Sequence, residues 1–171
     1  MIHKNIKILL STVALGYAVY QFIEGFIGNG IFFVLLSVLI LVFYFRNELI
    51  LLSFLKMRKQ DLAGTERLLL RIKNPEAALI KKQQGYYNYL FGIIYSQRNL
   101  NEAEKFFRTA LKLGLSMDHD LAMAKLSLAG IAMQKRRKIE AQTLLTEAKK
   151  LDKGNLLLDQ IKLMQQQLKK I

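Results

Sequence analysis

The chain reads as an all-α protein: an N-terminal transmembrane helical hairpin followed by a short α-solenoid that ends in a capping helix. Three observations predict this. Hydrophobic residues make up 52% of the 171, with only 10 Gly and 1 Pro, the composition of long, rarely interrupted helices. Residues 8–23 and 25–45 carry no charge. In residues 86–115 apolar and small side chains recur at helical spacing on both sides of a polar break at 97–101, as two antiparallel helices joined by a turn require.

Taken in order, the first charge-free run, ILLSTVALGYAVYQFI, is at the short limit for a membrane span. The second, GFIGNGIFFVLLSVLILVFYF, comes close to the ~20 residues that cross a hydrocarbon core. Glu24 and the Gly25, Gly28, Asn29, Gly30 turn leave room only for a tight hairpin. Lys4 and Lys7 flank one end and Arg46, Lys56, Arg58 and Lys59 the other, so the positive-inside rule puts both ends, and everything after them, in the cytoplasm. The rings of Tyr17, Tyr20 and Phe26 would then lie near the outer interface and those of Phe43, Tyr44 and Phe45 near the inner one. A cleaved signal peptide, with small residues at 16–18, is the competing reading of the first run. It leaves the orientation of the C-terminal part unchanged.

The expected division is therefore 1–45 as a two-helix membrane anchor, 46–80 as juxtamembrane helices, and 81–171 as helical repeats with a cap. Residues 47–62 continue as an apolar helix with basic edges whose Leu49, Leu52 and Met57 need cover. Beyond it Ala63 or Gly64 supplies a small residue, Leu68, Leu69 and Leu70 bulky ones, and Asn74, Pro75 and Glu76 a helix start: a cap, a preset first residue and an acid against the dipole.

The central stretch carries Tyr87, Leu90, Phe91 and Ile94, then Ala103, Phe107, Ala110 and Leu115. This order resembles the tetratricopeptide repeat, with Phe91 standing where glycine is usual and Gly92 next to it, Ile94 where tyrosine is usual, and Leu115 in place of the closing proline. A second copy runs through Leu128, Ala129, Ala132, Ala141, Leu145 and Ala148, with Lys125 at its first aromatic position. Ala103 and Ala141 are 38 apart, four more than the usual repeat of about 34, and the extra residues are expected in the polar joint near 117–120. The segment 46–75 is a degenerate first copy. Residues 155–171 form the cap, with Leu157, Ile161, Met164, Leu168 and Ile171 in one stripe.

By that resemblance the first helix of each repeat lines a groove for a peptide, which would be faced by Asn88, Tyr89, Gly92, Tyr95, Leu126 and Met133. The alternative is that Tyr89, Leu126 and Met133 pack beneath neighbouring helices. The chain has no Cys, so disulfides, thiolate metal sites and cysteine nucleophiles are excluded. His3 and His119 lack partners at metal-site spacing, and no phosphate-loop, dinucleotide or nucleophile-elbow motif occurs. No cofactor, metal or enzymatic activity is expected. Lys4, Lys7 and Glu24 are the only charges before Arg46, which leaves 24 basic and 12 acidic residues from there on. That excess favours anionic partners. Its densest run, Lys135, Arg136, Arg137 and Lys138, is read either as a solvated turn or as a contact for phosphates, and no stacking aromatics accompany it, which disfavours nucleic acid. The expectation is a membrane-anchored, cytoplasm-facing adaptor that binds a protein or peptide partner and sits in a lipid bilayer through residues 8–45. The alternative is a basic helical domain that binds anionic lipid or nucleic acid.

Overall fold

The computed structural model describes residues 4–45 and 47–170, with the side chains of all these except 4, 5, 7 and 43–45. The described residues form helices and no strand: α1 Lys4–Ile23, α2 Ile27–Phe45, α3 Glu48–Arg58, α4 Leu62–Leu70, α5 Pro75–Ala78, α6 Lys81–Tyr95, α7 Leu100–Leu113, α8 Asp118–Gln134, α9 Lys138–Leu151 and α10 Leu158–Lys169. They divide into two compact units, Met1–Leu51 and Leu52–Ile171. His3, Arg46 and Ile171, and the side chains of Lys4, Lys7, Phe43, Tyr44 and Phe45, lie outside the described residues.

In the first unit α1 and α2 pack antiparallel around a tight turn in which Gly25 takes φ 82°, a left-handed conformation that suits glycine. What they bury against each other is small or polar: Ser11, Ala18 and Gln21 on α1, Gly30 and Ser37 on α2. The Ser11 and Ser37 hydroxyls are 2.9 Å apart, and the Ser37 hydroxyl lies 3.0 Å from the Ser11 carbonyl. A Cβ on Gly30 would fall 2.6 Å from the Phe22 ring, so glycine is what lets the helices close there. The large apolar side chains, Leu9, Val13, Val19, Ile27, Phe32 and Leu35 among them, point outward. Of the two spans expected from the sequence, the hairpin is present. Among the described residues, however, no helix is long and apolar enough to cross a membrane.

The second unit is an array of helical hairpins with a fixed period. Thr65, Ala103 and Ala141, each 38 residues from the next, are fully buried near the start of α4, α7 and α9. Leu69, Phe107 and Leu145 follow one turn later, also fully buried, and Ile72, Ala110 and Ala148 a turn after that. The degenerate first copy thus takes its small position from Thr65 rather than Ala63 or Gly64. Its hydroxyl donates to the Asp61 carbonyl at 2.8 Å, with the Ser53 carbonyl at 3.5 Å, which lets a polar residue fill a dry position. Gly64 serves the cap instead, its N–H donating 2.7 Å to the Asp61 carboxylate.

The polar joint expected near 117–120 is shifted toward the N-terminus. Residues 118–120 begin α8, and the connection itself is only 114–117. The turns repeat as well. After α3 and α8 the N–H groups of Gln60 and Asp61, and of Arg136 and Arg137, bond back to carbonyls three and five residues earlier, with Gln60 and Arg136 at φ 58° and 57°. Both helices end in the same Schellman motif.

Two cores follow from this register. In one, Tyr89, Ala103, Phe107, Ala110, Leu128 and Ile131 pack together; in the other, Leu126, Met133, Ala141, Leu145, Ile161 and Leu168, which seats α10 as the cap. Phe107→Ala is expected to cost about 3–5 kcal/mol through the cavity it leaves. Ala103→Leu should cost roughly 1–3 kcal/mol by overpacking the closest approach of α6 and α7. Lys105→Ala, at a side chain 72% exposed, should shift stability by no more than about 0.5 kcal/mol. Thermal melts of the three variants check this order, and a silent Ala103→Leu would mean the helices do not meet at that residue.

Candidate functional site

The first helices of the repeats carry the residues expected to line a groove, and the packing uses most of them. Tyr89 is buried edge-on to Phe107, ring centroids 6.0 Å apart. Burial, together with the nearby Asp120 carboxylate and Tyr86, pushes its phenol well above the usual range. Gly92 is buried under the same ring, and a Cβ there would lie 2.8 Å from it. This close approach explains why the glycine sits one place late: Phe91 turns away to stack on Phe106 at 5.3 Å. Leu126 and Met133 belong to the second core. Asn88 and Tyr95 stay half-buried, and the Asn88 amide donates 2.8 Å to the Gln84 carbonyl on its own helix. Of the six, then, only Asn88 and Tyr95 are more than marginally accessible.

A groove does open one helix pair further on, between α8 and α10. It holds about 450 Å³ and is lined by Gly130, Met133, Gln134, Met164, Gln167 and Lys170. Two flexible thioethers make its floor, amides and one ammonium its rim. Gly130 adds no side chain to the floor, and the Met164 methyl lies at ordinary van der Waals distance, 3.5 Å, from where its Cβ would be. Such a surface suits an apolar side chain flanked by polar backbone, and methionine adapts to varied shapes. Met133 was legible in the sequence as a groove residue, whereas Met164 was legible only as part of the cap's buried stripe.

The basic run at the α8–α9 turn is divided. Lys135 donates to Glu104 and to Asn101, both at 2.6 Å, and Arg137 reaches Glu104 at 2.7 Å and Glu140 at 3.2 Å. Arg108 completes the cluster by pairing with Glu104 at 2.8 Å and with Glu140. Burial would raise the Glu104 carboxyl, but the hydrogen bonds from Arg137, Lys135 and Arg108 outweigh it and hold the group at about 2. Glu140 is lowered for the same reasons, with burial opposed by Arg108 and Arg137. One repeat earlier, Arg98 in the α6–α7 turn grips Glu66 on α4 through both carboxylate oxygens, at 2.9 and 2.8 Å. Glu66 and Glu104 are 38 apart, so each turn hooks the second helix of the preceding repeat. Arg136 and Lys138 remain exposed.

His119 is half-buried with its Nδ1 lacking a partner, and no group of His, Cys, Asp and Glu that could hold a metal ion occurs among the described residues. No protein-family model, curated protein or solved structure matches the chain.

The folded-state lowering of Glu104 fixes a sign. Its contribution is complete above the ordinary carboxylate value of 4.5 and fades as pH falls toward about 2. Glu104→Gln should therefore melt below the parent at neutral pH, and the gap between the two should close on acidification through that window. Arg136→Gly should act oppositely to a loss of function in the turn, raising stability by roughly 0.5–1 kcal/mol because glycine relieves the left-handed conformation. Denaturation midpoints of the two variants against pH check both.

Proposed function

We propose that the chain is a membrane-anchored adaptor whose tetratricopeptide-like helical array holds a protein or peptide partner on the cytoplasmic side. The observation that carries the anchor is the inverted polarity of the α1–α2 hairpin, with Ser11, Ser37, Gln21 and Gly30 inside and leucine, valine and phenylalanine outside. In water such a pair would turn inside out, because apolar contact drives association there. Within lipid the small residues allow close packing and the hydroxyl pair acts as glue. The charge-free stretch 25–45 supplies the length of a span, and the bias of Lys4, Lys7 and Arg46 against a lone Glu24 supplies the orientation.

What supports the adaptor half is a repeat array with a thioether-floored groove between α8 and α10. Alkaline carbonate extraction tests the anchor: the full chain should stay with the membrane pellet, and its release would remove that half of the reading. The partner is to be identified by cross-linking and mass spectrometry from mild detergent, then measured against variants. Met164→Glu in the groove should weaken its binding by roughly tenfold or more, whereas Gln166→Glu, on an exposed position of the same helix, should not. The second reading, binding of anionic lipid or nucleic acid through the basic surface, draws on the large cationic excess after residue 45. It predicts that most affinity disappears at moderate salt, which an apolar groove does not. Removing the charges of Lys135, Arg136, Arg137 and Lys138 separates the two, since only the second reading loses binding with them.

A further inference from the structure

The connections between hairpins gather along one edge of the array. Lys82 at the start of α6 donates to the Leu115 carbonyl at 3.2 Å; the Tyr86 hydroxyl donates to Asp120 at 2.7 Å and accepts the Ser116 N–H at 3.2 Å. Lys153, just past α9, meets Asp118 at the start of α8 at 2.7 Å. Each connection on this edge holds a large apolar side chain in the open: Ile80 is 54% exposed, Met117 59% and Leu156 76%. Leu156 is held there by its own turn. The buried Asp152 carboxylate accepts the N–H groups of Leu156 and Leu157 at 3.1 and 2.8 Å, which fixes Leu157 inward and its neighbour outward. Exposed lysines lie at the same helix ends: Lys81 follows Ile80, and Lys149 and Lys150 stand in the last turn of α9, ahead of Leu156.

One exposed apolar residue needs no explanation, but one per connection along one edge, with exposed lysines at the helix ends of two of the three, is a pattern. We infer that this edge docks on an anionic lipid surface, with Ile80, Met117 and Leu156 entering the headgroup region and Lys81, Lys149 and Lys150 meeting the phosphates. The apolar points are single residues on three separate connections, which fits a deformable surface better than one shaped protein pocket. Interfacial binding draws on these two ingredients, apolar insertion and attraction to anionic lipid. The covalent link to α1 and α2 also keeps a bilayer at high effective concentration, so weak individual contacts suffice. This last step rests on the anchor reading; the edge chemistry does not.

The chain has no Cys, so single cysteines can be placed at will. Full-length Met117→Cys, Leu156→Cys and Ile139→Cys, the last in the first turn of α9 near the opposite end of α8, would each carry an environment-sensitive dye. Each is reconstituted into vesicles of phosphatidylcholine alone or with added phosphatidylserine. The expected result is a blue shift and quenching by lipid-attached quencher at 117 and 156 but not at 139, only with the anionic lipid, and reversed by high salt. Changing Lys81, Lys149 and Lys150 to Gln should weaken the effect roughly fivefold for each lysine removed. Equal signals at all three sites, or no dependence on anionic lipid, would overturn the proposal. So would a shift driven by soluble polyglutamate and not by vesicles. Carbonate extraction of the same samples keeps the two readings apart: a pelleted chain with an unmoved dye fails the edge alone, whereas a released chain whose dye still responds to anionic vesicles fails the anchor alone.

Discussion

The second unit depends on one steric constraint, the small side chain buried where the two helices of each hairpin meet, with a bulky one a turn later. Ala103 and Ala141 are fully covered, and Phe107 and Leu145 fill the space beside them. Once α6 and α7 approach this closely, Gly92 has to pass beneath the Phe107 ring. Tyr89 then has no route outward and joins the core. The same packing that makes the hairpin stable thus withdraws the aromatic groove expected on its other face, and a groove opens instead between α8 and α10.

The helices and their pairing were legible because apolar spacing and caps are local signals: Asn74 caps the helix that follows it as its residue type suggests. The alanine and phenylalanine of the central hairpin were legible for the same reason. Thr65 was not, since threonine reads as polar until its hydroxyl is seen bonded to backbone carbonyls inside the fold. Nor was the regular 38-residue period, which needs that third point. Tyr89 and Gly92 are drawn into the core by a subtler cause. Sequence spacing says which residues share a helix face but not which neighbour will cover that face, and the stagger of Phe91 against Gly92 rotates the covered side toward Phe107.

Charge shows the same gap between count and placement. The run at 135–138 stands out in the sequence as a block of four cations, yet Lys135 and Arg137 are taken up by Glu104 and Glu140 across the repeat boundary. Isolated pairs of this kind contribute little, but Glu104 is held by three cations at once and is only 12% exposed, so the cluster works as a network that fixes the register of one hairpin against the next. Arg98 with Glu66 repeats the device one period earlier. Arg136 and Lys138 stay exposed beside the network, as do lysines at several helix ends that the sequence scatters over many positions.

The α1–α2 hairpin poses the sharpest energetic question. Moving a leucine or phenylalanine from water into an apolar setting is worth about 1.5–3 kcal/mol, and this hairpin leaves many such side chains outward while enclosing serine, glutamine, alanine and glycine. In water the arrangement would forgo most of the available driving force and would retain the entropic cost of ordering two helices. A surrounding apolar phase reverses the account: outward leucines are then solvated by hydrocarbon, inward hydroxyls find each other at 2.9 Å, and glycine allows the contact that dispersion needs. The polarity of the hairpin is therefore informative independently of the length of either helix, and it is the observation on which the proposed anchor rests.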